Sequence, residues 1–362
     1  MDSSPGYPYT RLAGTNAVLL DNYMDTVVSC VLERLDLFAD LELKEICSLS
    51  PIDLVRRGLF DPIKLFIKNE PHKLKKIEEG KLRLIASVSV VDQIVSRLIH
   101  GLQNEAEIER WVFCPAKPGM GLDDQSLHVL KATFERMSRI GQLAESDISG
   151  WDWGVHGWEL KAAADIRCHV AGAAEDDVFT HFVQAVSHCV SNKVFVLPSG
   201  EMWSQSRPGI QASGQYCTSS DNSRMRIADA VYVLAKGYGF EWVAEREIMD
   251  LVAAMGDDAV EVFSPSAEDL YKNDLGKKVK DYVVRADPDD VNFCSSQFVK
   301  GGMAYPTSAD RTLFRFLSQK ATPGVDWIGL LAQLAFQLRH HPERDLLLSV
   351  ALSRVERDKL LD

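Results

Sequence analysis

LVAAMGDDAVEVF, from Leu251 to Phe263, carries two adjacent aspartates, Asp257 and Asp258, directly behind Gly256. The residues on both sides are apolar and β-compatible. That pattern predicts strand, tight turn, strand, with two carboxylates at the turn. Uncompensated like charges between buried strands are costly, because each carboxylate disfavours ionisation of the other. A divalent cation reverses that local logic. A single aspartate is more often a turn or capping residue, so the string needs support from elsewhere in the chain.

The chain has 362 residues, 46% of them hydrophobic, enough for one large or two to three smaller domains. Seven cysteines are scattered with no CxxC pair and no Cys/His cluster at zinc spacing, which predicts a reduced intracellular protein. No apolar run reaches the ~18 residues of a membrane span. The opening MDSSPGYPYT lacks the basic and apolar regions of a signal peptide. A net charge of −12 argues against a general nucleic-acid binder. Charge is uneven, however. Lys64, Lys68, Lys73, Lys75, Lys76, Lys81 and Arg83 form a basic strip opposed by three glutamates. Such a strip can bind phosphates while the outer surface stays acidic.

Periodicity places the other elements. Helical spacing runs from about Asp21 to Leu49 and recurs at Val91, Ile94, Val95, Leu98 and Ile99. Cys114 to Asp124 reads as loop, 124–140 as helix, QLAESDISGWDW as a strand entering a turn, and 156–190 as helical. A hairpin closed by Pro198-Ser199-Gly200 follows, then a helix from Tyr216 to about Lys236. Beyond the double-aspartate hairpin come a helix near Ser266–Lys278, a strand near Asp281–Arg285 and a hairpin in NFCSSQFVKGGMAYP. The C-terminus is helical, with an amphipathic segment around Trp327–Arg339. The mixture is α+β, with a small antiparallel sheet and many helices.

Three constellations carry chemistry. Asp147, at a strand end, and Asp257 could offer carboxylates from neighbouring strands to Mg²⁺, a hard cation that takes oxygen ligands. Two such ions ~3.5–4 Å apart serve an in-line displacement. Asp152 follows Asp147 after four residues, and Ser213-Gly214, Thr218 and Asn222 lead into a helix on which Thr218 and Asn222 share a face. Ser, Thr, Asn and Asp suit the hydroxyl edge of a sugar, although they also suit a helix cap. The basic strip could neutralise a triphosphate, although a solvated charged face has the same composition. Trp151, Trp153 and Trp158 read as packing rather than base-stacking residues. Cys168, Cys189, Cys217 and Cys294 read as buried small hydrophobes, and the nine histidines show no metal spacing.

The order is basic strip, D-x4-D, SG-x3-T-x3-N, GDD. With KNEPHKLKKIEEGKLRLIASVS and VDQIVSRLI, it makes the chain resemble the RNA-dependent RNA polymerases of positive-strand RNA viruses. The likeness is greatest to the sobemovirus, polerovirus and barnavirus group and covers roughly Ser3 to Val299. The resemblance implies an α+β right-hand polymerase. Fingers come from 1–130, with the basic strip at 64–83, and from 165–225. A palm with a small antiparallel sheet comes from 131–164 and 226–300, and a short thumb from 301–362. It implies that Asp147 and Asp257 bind metal, with Asp258 as supporting neighbour, and that Lys68, Lys76 and Arg83 contact the incoming triphosphate. Asp152 would read the ribose 2′-hydroxyl through Ser213 and Asn222, with Thr218 beside them. Lys278 or Lys280 would protonate the leaving pyrophosphate, with Arg285 a further candidate. Ser3 to Pro8 matches a template-entrance motif, and Asn292 to Phe298 a primer-supporting hairpin. Mg²⁺ is the implied cofactor, with Mn²⁺ the alternative. The implied partners are RNA template and nascent RNA, NTPs, a genome-linked protein primer and other viral replication proteins. The implied location is the host cytoplasm, at replication membranes reached through partners. A reverse transcriptase-like palm polymerase and a non-catalytic RNA-binding relative are the rival classes. The first usually carries an aromatic ring at the position of Asp152, and the second has no need of the full aspartate set.

Overall fold

In the computed structural model, residues 3–68, 70, 74–319 and 326–359 are described. Strands β1 (Ile63–Ile67), β2 (Leu84–Ser87), β3 (Leu143–Ile148), β4 (Val194–Val196), β5 (Met202–Ser204), β6 (Val252–Met255), β7 (Asp258–Val262), β8 (Val279–Arg285), β9 (Asn292–Phe293), β10 (Ser296–Val299) and β11 (Met303–Pro306) form three small sheets among helices. The chain is α+β, as its periodicities predict.

The sheet that matters most has the order β6-β7-β3-β8 and is antiparallel throughout. Val252, Ala253 and Ala254 of β6 and Ala259, Val260 and Val262 of β7 are buried, so this hairpin is covered on both faces. The helix Thr218–Tyr238 packs against it. Helix Asp124–Ser138 adds Leu127, Leu130, Phe134 and Met137 to a core shared with Leu143, Val260 and Val262. The second sheet, β2-β1-β4-β5, pairs β1 antiparallel to β2 and parallel to β4. Its β4–β5 hairpin closes where Pro198-Ser199-Gly200 places it. The third sheet, β11-β10-β9, contains two hairpins rather than the single one expected in NFCSSQFVKGGMAYP.

Helix lengths depart from the sequence expectation where the backbone turns. The segment expected to run from Asp21 to Leu49 is two helices, Asn16–Asp40 and Leu43–Ser48, parted by extended backbone at Leu41. The 156–190 stretch divides into Gly157–Val170 and Val178–Ser191. The helix expected to reach Lys278 spans only Ala267–Asn273. Gly276 takes φ +64° and Lys277 turns inward to a buried position. The helices Ala309–Leu317, Trp327–Gln337 and Arg344–Lys359 close over a separate core of Phe316, Leu334, Leu338, Ala351 and Val355. Among the described residues no helix is long and apolar enough to cross a membrane.

Candidate active site

β3 and β7 pair from Leu143↔Val262 to Ser146↔Ala259. One step further in that register, Asp147 stands beside Asp258, the first residue of β7. Asp257 occupies the two-residue turn between β6 and β7. Gly256, the first turn residue, has φ +64°, as a type II′ hairpin requires. The turn is tied down from behind. The Gly256 amide donates to Ser223 Oγ at 2.8 Å, and Ser223 Oγ donates to the Ser219 carbonyl at 2.8 Å. Ser223 has no sequence signal beyond its place one residue after Asn222. Burial, then the Asp257 and Asp147 carboxylates, push the Asp258 carboxyl up to about 6, while Arg226 pulls the other way.

Lys280 separates itself from the other general-acid candidates. β3 and β8 pair Asp147↔Asp281 and Ile148↔Val279, which leaves Lys280 as the extra residue of a β-bulge. The bulge re-aims its ammonium onto Asp147 Oδ2 and onto Asp281 Oδ2, the latter at 3.0 Å. Lys278 is exposed, and its carbonyl accepts from the Ser149 amide. Arg285 is held by Glu145 at 2.8 Å and Asp290 at 2.9 Å, and serves the sheet. Among the described residues no three His, Cys, Asp or Glu side chains gather closely enough to hold a metal ion. The carboxylates nonetheless suit a divalent cation. They are hard oxygen donors, Asp258 is strained by like charge, and an ammonium already stands on Asp147.

A cavity of about 660 Å³ opens in front of these groups. Asp147, Asp258, Asp281 and the β9–β10 turn line it. Cys294 and Ser295 in that turn have φ +51° and +57°, the left-handed pair that a type I′ hairpin needs. Cys294 is therefore half-buried at the cavity wall, not a core residue. Cys168, Cys189 and Cys217 are buried as expected.

Asp152 lies in the short helix Trp151–Gly154. Asn222 Nδ2 donates to its Oδ1 at 3.0 Å, whereas Asn222 Oδ1 is buried without a partner. Burial raises the Asp152 carboxyl above its ordinary range. The Asn222 bond and Arg83 oppose the rise, and Asp257 adds to it. Asp152, Asn222 and the turn thus share one neighbourhood. Ser213 and Thr218 do not join it directly. Ser213 Oγ accepts from the Ala86 amide of β2 at 3.2 Å. Thr218 Oγ1 donates to the Ala212 and Gln215 carbonyls, both at 2.8 Å, so its hydroxyl is used by the loop. Gly214 is required where it stands, because a Cβ would sit 2.2 Å from the Ala86 carbonyl oxygen.

The basic strip is less free than its composition suggests. Lys68 and Arg83 both pair with Glu70, each at 3.0 Å. Although burial favours its neutral form, the Lys68 and Arg83 contacts hold the Glu70 carboxyl below its usual range. Lys76 is exposed on the helix Leu74–Glu78, and Lys73 lies outside the described residues. Ser3 to Pro8 docks on the start of the helix Val90–Glu109, where Pro5 O accepts from the Val90 amide at 2.8 Å.

Behind the open carboxylates lies a buried ionic network. Arg226 donates to Ser146 Oγ, the neighbour of Asp147, and to the Tyr271 hydroxyl at 2.8 Å. It also faces Glu261 at 3.6 Å. Lys277 pairs with Glu159 and stands 3.6 Å from Asp229. The Trp151 ring carries Lys277 at 4.3 Å and Arg226 at 5.8 Å from its centroid, and is packed as expected. Trp153 and Trp158 are more open, at 43% and 48% exposure, although the Trp153 ring rests against Phe195.

Comparison with known proteins gives a consistent result. The family described as viral RNA-directed RNA-polymerase matches residues 3–315. The RNA-directed RNA polymerase of Mushroom bacilliform virus is 40% identical over 99% of this chain and 84% of its own length. The replicase polyprotein P2AB of Southern bean mosaic virus is 40% identical over 88% of this chain, and protein P1-P2 of Potato leafroll virus 32% identical over 95%. The chain spans 32% of the length of each of these two longer proteins.

Proposed function

Because the chain belongs to the family of viral RNA-directed RNA polymerases, we propose that it extends an RNA 3′ end with ribonucleotides at the Asp147, Asp257 and Asp258 cluster. The observation that carries this reading is the β3–β7 register, which sets Asp147 beside Asp258 with Asp257 in the adjoining turn. Asp147, Asp257 and Asp258 would hold the divalent ions that polymerases of this family use, Mg²⁺ or Mn²⁺. When bound, such ions lower the pKa of the attacking hydroxyl and offset charge on the leaving oxygens.

The chain's own residues supply the rest. Lys68 and Arg83 bind the triphosphate once it displaces Glu70, whose carboxylate occupies them in its absence. Lys76 is the third cation of that set by resemblance. Asp152 accepts the ribose 2′-hydroxyl while Asn222 fixes the carboxylate's orientation. A site built to hydrogen-bond a hydroxyl rejects the sugar that lacks it, because its buried polar groups are then left unpaired. This supports a ribonucleotide polymerase over a reverse transcriptase. Lys280 holds a proton at Nζ within reach of the cluster and delivers it to the departing pyrophosphate. The cavity between the carboxylates and the Cys294-Ser295 turn receives the primer strand.

The architecture we propose is a right hand, with fingers in 1–130 and 165–225, palm in 131–164 and 226–300, and thumb in 301–362. Its ligands are RNA template, nascent RNA and NTPs. A protein primer, partner replication proteins and host cytoplasmic membranes follow from the family resemblance alone. Primer extension on an RNA template with Mg²⁺ and ribonucleotides tests the reading. Wild type is expected to add nucleotides and Asp257→Ala to add none. Incorporation retained by Asp257→Ala would overturn the assigned site.

A further inference from the structure

Trp153 and Trp203 stand on one rim of the molecule, and neither they nor Trp158 take part in the chemistry above. Trp153 is 43% exposed, Trp158 48% and Trp203 61%. Trp153 follows Asp152 directly, and its ring tilts over Phe195 with centroids 6.0 Å apart. Phe195 on β4 is the cross-strand partner of Trp203 on β5. Side chains paired across an antiparallel ladder point to the same face. Trp153, Phe195 and Trp203 therefore form an aromatic row that begins one residue from the sugar-reading carboxylate. The row ends on β5, an edge strand.

Trp158 and a cation adjoin this rim. Gly157 lies so close to Pro208 that a Cβ there would come 2.6 Å from the proline's Cβ. Arg207, next in the chain, is exposed and forms no ion pair among the described residues. Glu201 on the same hairpin accepts from the Ser199 hydroxyl at 3.1 Å. Single exposed apolar residues are ordinary. Two exposed tryptophans joined through Phe195, with Trp158 and Arg207 next in the chain to the Gly157–Pro208 contact, are not a scatter.

We propose that this row is a stacking platform for single-stranded RNA, which holds unpaired template bases as they approach the Asp152 site. Every base presents a π-face, so aromatic rings bind a strand without regard to its sequence. Arg207 supplies the phosphate contact that such platforms combine with stacking. Tryptophan and arginine also favour protein interfaces. RNA is preferred because the row is continuous, through the Asp152–Trp153 peptide bond, with the site where ribose is read. The inference rests on the RNA polymerase reading, but its test needs no catalysis.

The full chain is titrated with a fluorescently labelled single-stranded RNA, without nucleotides or metal. Trp203→Ala and Trp158→Ala are each expected to weaken binding about tenfold. Trp203→Phe and Trp158→Phe should restore most of it. Arg207→Gln should reduce the slope of log Kd against log salt by about one. RNA affinity unchanged in both alanine variants overturns the proposal. A loss that phenylalanine does not rescue also overturns it, since that marks a disturbed surface. Alanine variants that keep RNA affinity but change self-association make the rim a protein interface instead. An enzyme that binds RNA through the row yet adds no nucleotide would fault the catalytic assignment alone.

Discussion

Asp147, Asp257 and Asp258 stand at the open end of β3 and β7, while Glu159, Asp229 and Glu261 lie behind them at 1%, 0% and 1% exposure. Both sets hold three carboxylates. The inner set meets two cations: Arg226 faces Glu261 directly and through the Tyr271 hydroxyl, and Lys277 pairs with Glu159 and faces Asp229. The remaining imbalance falls on Asp229. Burial, then Glu159, push the Asp229 carboxyl up to about 7 against the pull of Lys277 and Arg226. Among the described residues the outer set forms an ion pair only with Lys280, and Asp258 is left at about 6. Charge balanced within the chain locks helices to strands. Charge left unbalanced at a cavity is available to a ligand that brings the opposite sign.

That contrast can be broken by substitution, and the greatest effect belongs to the outer set. Asp257→Ala should cut nucleotide addition by on the order of 10³-fold or more. Its unfolding free energy should stay within about 0.5 kcal/mol of wild type, because the position is exposed. A large stability loss in denaturant titration would make Asp257 a structural residue. Arg226→Met should behave in the opposite way and cost about 3–5 kcal/mol, since it strands Glu261 in the interior. An Arg226→Met protein as stable as wild type would erase the distinction.

Lys280 tests the border between the two sets. Lys280→Met should slow single-turnover addition by ~10²-fold and leave stability nearly unchanged, as exposed ion pairs contribute little. A wild-type rate would move the proton to Lys278. Asp152→Ala should relax the preference for ribo- over deoxyribonucleotides by ~10-fold or more, read from competing incorporation. An unchanged ratio removes Asp152 from sugar selection. The smallest effect is a pH slope. Asp229 is raised in the folded state above its unfolded value near 4. Its stabilising contribution is complete below about pH 4 and fades as pH climbs to about 7. Asp229→Asn should flatten that decline, by at most about 1.4 kcal/mol per pH unit. A slope unchanged in Asp229→Asn would assign the bound proton to another group.

The outer set was legible because each member has a local signature. Gly256 before two aspartates between apolar runs specifies a hairpin, and the fixed order of spaced polar residues specifies the family. The inner set was not. Lys277 and Glu159 are 118 residues apart, and Arg226 and Ser146 80 apart, with no pattern joining them. Neither was Glu70, which takes two of the cations credited to a triphosphate. Thr218 looked like a sugar contact because helix N-termini and sugar sites draw on the same residue types. Trp153 and Trp158 read as packing residues because sequence shows aromaticity and not exposure.

By itself the sequence determined the local elements and the chemical kinds brought to the site. These depend on periodicity, turn chemistry and side-chain type, all of which act over a few residues. Tertiary structure alone decided which charges meet. The bulge that turns Lys280 toward Asp147 and the glycine that sends Lys277 into the core are matters of register and backbone direction. An ion pair is decided by separations of a few ångströms between segments far apart in the chain, a distance that no nearby residue encodes.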